Sequence, residues 1–134
     1  VLVVLILLGV VFDMLGVAVT SASQAPFVAM ASKKVKGAKN SLLVLKHAEK
    51  FSNFCNDVVG DICGVVSGTA GAALAALATA QFGFLPAAFW SVATSAVISA
   101  MTVSLKALGK GVAINQSKQI VEMIGKILAV FIRN

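Results

Sequence analysis

The 134-residue sequence has no tyrosine, one histidine, two cysteines, two prolines and five acidic residues. Each scarcity removes a class of protein. Charged residues make up 12% of the chain, against about 25% in an ordinary soluble domain, and the mean hydropathy is +0.98. A soluble fold is therefore excluded and a membrane protein expected. The formal charge of +6 would suit nucleic acid, but that partner needs basic residues on a wet face among stacking aromatics, so no nucleic-acid partner is expected. One histidine without a second ligand cluster gives a zinc or haem site no support. Cys55 and Cys63, eight residues apart, would lie about 12 Å apart on one helix, beyond disulfide reach, and are read as free thiols. No phosphate loop, nucleophile elbow or His-Glu metal helix occurs, so the chain is not read as an enzyme; Gly68-Thr69-Ala70-Gly71 is taken as packing inside a span.

What the sequence does contain is a separation of charge from apolar length. Residues 62–105 carry no charge, a run of 44, where one bilayer crossing needs about 20 helical residues. Two spans and a turn fit, the turn being Gln81-Phe82-Gly83-Phe84-Leu85-Pro86, with Phe82, Phe84, Phe89 and Trp90 suited to an interfacial belt. Val1 to about Ala22 is apolar except for Asp13 and long enough for a third crossing. The expected fold is an all-α integral membrane protein, residues 1–134 forming one transmembrane module with spans at about 1–22, 58–80 and 87–108.

Charge sets the expected topology. Over 32–50, six lysines against Glu49 leave +5, and from Lys106 onward five basic residues against Glu122 leave +4, while the hairpin turn has none. By the positive-inside rule both basic blocks are cytoplasmic and Val1 lies outside, which an odd number of crossings also requires; a bacterial plasma membrane is the expected location. A cleaved secretory signal is the alternative for the first segment, matched only by small residues at Val19-Thr20-Ser21-Ala22. The missing initiator methionine implies that residues precede Val1 or that the sequence is incomplete.

Two amphipathic juxtamembrane helices are expected. In the first, over about 40–55, Leu42, Leu45, Phe51, Phe54 and Cys55 recur with helical spacing, and His47 sits among lysines as a headgroup-facing side chain. The second, over about 115–133, gathers Ile120, Val121, Ile124, Ile127, Leu128, Phe131 and Ile132 on one face, with Lys118, Glu122, Lys126 and Arg133 elsewhere. Both read as interfacial helices attracted to anionic lipid headgroups. On the second span Gly60, Gly64, Gly68, Ala72 and Ala76 recur every four residues, a row that permits close backbone approach to a partner helix; Ser91, Ser95 and Ser99 on the third span are its expected counterpart. The partner is another span, a second copy in a homodimer, or a different membrane subunit.

Ionisable residues inside a membrane are costly and mark candidate sites. Asp13 lies about 20 Å into the first span, where so short a side chain cannot easily reach the surface. Asn53, Asp57 and Asp61 share a helix face and read either as a cation vestibule or as acids stabilising the start of the second span. Lys106 closes the uncharged run and is an expected ion-pair partner for Asp13 or Asp61.

Three spans, a basic amphipathic stretch after the first and a closing amphipathic helix resemble the transmembrane module of the cyclin M / CorC magnesium transporters. The family's Ser-x-x-Glu-x-Ala-Leu stretch is similar to Asp13-Met14-Leu15-Gly16-Val17-Ala18-Val19, where Ala18 matches. Gly37-Ala38 and Leu45 through Glu49-Lys50-Phe51 resemble its juxtamembrane segment, and Leu105-Lys106-Ala107-Leu108-Gly109-Lys110-Gly111-Val112-Ala113 resembles its Gly-Glu-x-x-Pro-Lys-x-x-Ala signature, retaining Lys110 and Ala113. The resemblance implies a magnesium-handling module with Asp13, Asn56, Asp57 and Asp61 as candidate oxygen ligands. It also implies a departure, because Lys106 stands where the family has an acid and would repel the cation; paired with Asp13, it would make the chain a transport-impaired relative. The second expectation is a non-transporting accessory or scaffold subunit, and a holin-like pore is a third, disfavoured by the long juxtamembrane segment.

Overall fold

A computed structural model describes residues 1–132; Arg133, at the expected end of the closing helix, lies outside the described residues. The described chain is helical: α1 (Leu2–Ser21), α2 (Ala25–Ser32), α3 (Ala38–Lys46), α4 (Ala48–Asn53), a π-helical segment (Phe54–Val59), α5 (Gly60–Phe82), α6 (Ala87–Asn115) and α7 (Ser117–Phe131). Three helices are long and apolar enough to cross a membrane: Leu2–Ser21, the continuous helix Ala48–Phe82, and Ala87–Asn115.

Local chemistry sets the breaks. α1 ends as Ala22 turns extended (φ −76°, ψ 137°), and Pro26 enters the first turn of α2, where its missing N–H costs nothing. Between α2 and α3 the backbone takes positive φ at Lys34 (56°) and Gly37 (83°), the second at no steric cost because glycine has no Cβ. Gly83 closes α5, its N–H donating to the Thr79 carbonyl at 3.1 Å, and Pro86 precedes α6. At this turn Trp90 packs with Phe82, Phe84 and Phe89 at ring distances of 5.8, 6.0 and 6.2 Å.

α5 and α6 form the expected antiparallel hairpin, and α1 packs against both. The vertical offset of α1 is a finding. A methyl group at Gly9 would lie 3.4 Å from the Cβ of Cys63, and one at Gly109 would lie 2.9 Å from Cγ of Met14. α1 therefore flanks the charged end of the hairpin, which brings Asp13 beside Lys110.

Beyond that end, the second half of α1 is enclosed by α3, α4, the π-helical segment and α7. Val19, Phe27, Val44, Leu45, Val121 and Ile124 form its core. The apolar faces of α3 and α7 are thus covered in part by each other and by α1: Val44, Leu45, Val121 and Ile124 are buried, whereas Ile127, Phe131 and Ile132 stay exposed. α3 also stops at His47, and the rest of the expected 40–55 helix runs straight into the second span. α3 crosses α7 at backbone contact: a Cβ on Gly37 would come to 2.9 Å from the Gly125 carbonyl carbon, and the buried Ser41 hydroxyl reaches the carbonyl oxygens of Gly37 (3.0 Å) and Val121 (3.2 Å).

The packing face of the second span is displaced from the expected row. Cys63, Ser67, Gly71 and Ala75 are the buried positions of α5, whereas Gly64, Gly68, Ala72 and Ala76 are exposed and Gly60 is half-buried. A Cβ at Gly64 or Gly68 would meet nothing within 4 Å. Two rows of small residues run side by side on this helix, and the second carries the intramolecular contact. Ser91, Ser95 and Ser99 are likewise exposed, and α6 buries only Gly109 and Ala113.

Candidate functional site

Among the expected site residues, the structure buries Asp13, half-buries Asn56 and Lys106, and leaves Asp57 and Asp61 exposed. Asp13 is 7% exposed, and its Oδ2 accepts no hydrogen bond; the nearest cation is Lys110, with Nζ 3.9 Å away. This overturns the expected pairing with Lys106. Residues 106 and 110 are one helical turn apart, and the offset between α1 and α6 selects the second.

Asn56 sits in the π-helical segment, a geometry found mostly as single-turn bulges within α-helices and frequently at functional sites. Its Nδ2 donates to Ser52 Oγ at 3.3 Å, while its Oδ1 is buried without a donor. Gly16 makes this approach possible, since a Cβ there would come to 2.7 Å from Asn56 Oδ1 and 3.2 Å from Ser52 Oγ. Gly16 follows Asp13 by three residues, one turn of α1, so two buried oxygens without donors occupy neighbouring turns of the same interface.

These atoms are the material of a cation site, but a thin one. Hard divalent cations take about six oxygens, with more than one carboxylate at tight sites. Here the buried set offers one carboxylate, one amide oxygen and the Ser52 hydroxyl, and Lys110 places a positive charge at its edge. Among the described residues no group of three or more His, Cys, Asp or Glu side chains could hold a metal. Cys55 and Cys63 are both buried free thiols.

Lys106 faces a different feature. It lines a groove of about 320 Å³ between α1, α5 and α6, together with Leu5, Gly64, Gly68, Ser67 and Ser99. Among the described residues its ammonium makes no ion pair; the pairs are Lys110 with Asp13 and Lys126 with Glu122. Sequence reasoning missed Gly16, Ser52 and Lys110. The four-residue spacing of Ser52 and Asn56 was a readable signal, masked by the more charged face of Asn53, Asp57 and Asp61 beside it. Comparison with known protein families, curated proteins and solved structures gives no match.

Proposed function

We propose that this chain is a membrane-embedded helical module on the plan of the magnesium-transporter transmembrane module, impaired in cation transport. The observation that carries the impairment is the shortage of buried acid: Asp13 is the one buried carboxylate among the described residues, and Lys106 stands where the resembled family has an acid. One buried carboxylate beside a lysine is a poor match for magnesium, which sheds its water reluctantly and demands near-ideal octahedral oxygen geometry. Asp57 and Asp61, exposed at the same end, would stand in headgroups or water rather than in the site. The two basic blocks on that side would face anionic lipid.

The test is magnesium flux into liposomes containing the purified chain. The parent protein should not exceed protein-free liposomes, and neither should Asp13→Asn. Flux from the parent that Asp13→Asn abolishes would refute the impairment and restore Asp13 and Asn56 as cation ligands.

A second reading, a non-transporting accessory or scaffold subunit, is favoured by the open row Gly64, Gly68, Ala72 and Ala76. In lipid, helices associate through close packing of such surfaces, and among the described residues no helix covers it. Native mass spectrometry after mild extraction tests it. A reproducible complex with other polypeptides, or a homodimer, that Gly64→Leu dissociates supports docking through this row; a monomer in both forms removes it.

A further inference from the structure

From the groove beside Lys106, we infer that the protein carries a built site for one anionic phospholipid, the phosphate on Lys106 and one acyl chain along α5 and α6. The inference rests on the reading of the chain as membrane-embedded and is independent of whether it transports.

The walls have two characters. At one end is the half-buried Lys106, without an acidic partner among the described residues, with the hydroxyl of Ser99 two turns along the same helix. From there α5 contributes Gly60, Gly64, Gly68 and Gly71 beside Cys63 and Ser67; open space lies over Gly64 and Gly68, and Ile98 packs over Gly71 at the far end.

Length supports a single chain. From Gly60 to Gly71, and from Lys106 back to Ser95, the walls run about 16 Å at helical rise. One leaflet is about half of the roughly 30 Å hydrocarbon core, so the groove is as long as one leaflet is deep. Lys106 stands at the end of the uncharged run, at the depth where a phosphate would sit. A cation facing a lipid-deep apolar groove is matched by an acid headgroup with an apolar tail. A neutral headgroup would leave the ammonium without a counter-charge, and a second apolar helix would bury it unpaired.

The experiment is native mass spectrometry of the full chain in mild detergent, with equal additions of phosphatidylglycerol or phosphatidylcholine. The parent should retain one phosphatidylglycerol about fivefold more than phosphatidylcholine, as expected for one lysine meeting an anionic surface. Lys106→Gln should bring the two lipids level. Gly68→Leu, whose side chain enters open space and leaves the protein's own packing intact, should lower retention of both. Lys118→Gln, on α7 outside the groove, should change nothing. Equal retention of both lipids by the parent, undiminished preference in Lys106→Gln, or a lipid-free dimer that closes the groove would each overturn the site. Carbonate washing of the source membranes separates the premise: a chain stripped by carbonate refutes membrane embedding itself, whereas a resistant chain without headgroup preference overturns the lipid site alone.

Discussion

Gly125→Ala and Gly111→Ala are the same substitution in two helices, and the structure gives them opposite signs. Both remove a glycine from a helix, which in isolation stabilises by about 1 kcal/mol. At Gly111 the new methyl would meet nothing within 4 Å, so that gain should survive. At Gly125 it would overlap Ser41 Oγ and the Gly37 carbonyl oxygen and lie 3.0 Å from the Ser41 backbone nitrogen. Only Ser41 Oγ belongs to a side chain that can turn; the other two are backbone of α3. Overpacking typically costs about 1–3 kcal/mol, and rotating Ser41 away from the Val121 carbonyl forfeits a hydrogen bond of about 0.5–1.5 kcal/mol. Set against the propensity gain, Gly125→Ala should destabilise by about 1–3 kcal/mol. Denaturant titration in mixed micelles, followed by circular dichroism, measures both. Ser41→Ala added to Gly125→Ala should recover only part of the loss, because the Gly37 carbonyl remains in the way. A Gly125→Ala protein as stable as Gly111→Ala would refute the backbone-level crossing of α3 and α7.

Other expectations are read in the same assay. Phe27→Ala, which empties a fully buried site of the α1–α3–α7 core, should cost about 3–5 kcal/mol; a loss under 1 kcal/mol would show that the core is not closed. Lys110→Met should destabilise by about 1–2 kcal/mol, between the values for exposed and buried pairs, by leaving Asp13 without a counter-charge. Adding Asp13→Asn should restore most of that stability, and additive losses in the double-mutant cycle would refute the pairing. On α7, the Lys126 ammonium donates to the Glu122 carboxylate at 2.9 Å and holds its carboxyl below the usual range, with a smaller pull from the charge of Lys118. A depressed pKa means that this pair's contribution is present above the unfolded-state pKa and lost as pH falls through the folded one. Stability should therefore fall less steeply below pH of about 4 in Glu122→Gln than in the parent, and identical profiles would refute the pair.

The sequence made the three long apolar helices legible because charge and apolar length are read along the chain without knowledge of neighbours. The hairpin over the uncharged run, its turn at Gly83 and Pro86, and the positions of all three long helices followed from that alone. What failed depended on how helices register against each other. Lys106 and Lys110 are equivalent partners for Asp13 until the offset of α1 is known, and nothing local encodes that offset. The rows at 60, 64, 68 and at 63, 67, 71 are both small enough to pack, so composition could not choose between faces. The amphipathic faces of α3 and α7 were visible, but an apolar stripe looks the same whether lipid or another helix covers it. The π-helical segment has no sequence signature, and it turns Asn56 toward α1 while Asp57 faces outward.

Three of the residues that carry the family resemblance, Ala18, Lys110 and Ala113, share one property. Ala18 and Ala113 are fully buried at helix contacts, and Lys110 meets Asp13 between α1 and α6. All three sit at helix contacts, whereas other residues stand here at the positions where the resembled family has acids. Close-packed small residues and an inter-helix ion pair constrain a backbone whether or not a cation passes through it. Lys106 then needs no cation to replace. Offset from Asp13 and facing the glycine-lined groove, its ammonium is left, on the reading proposed above, to an anion from the bilayer.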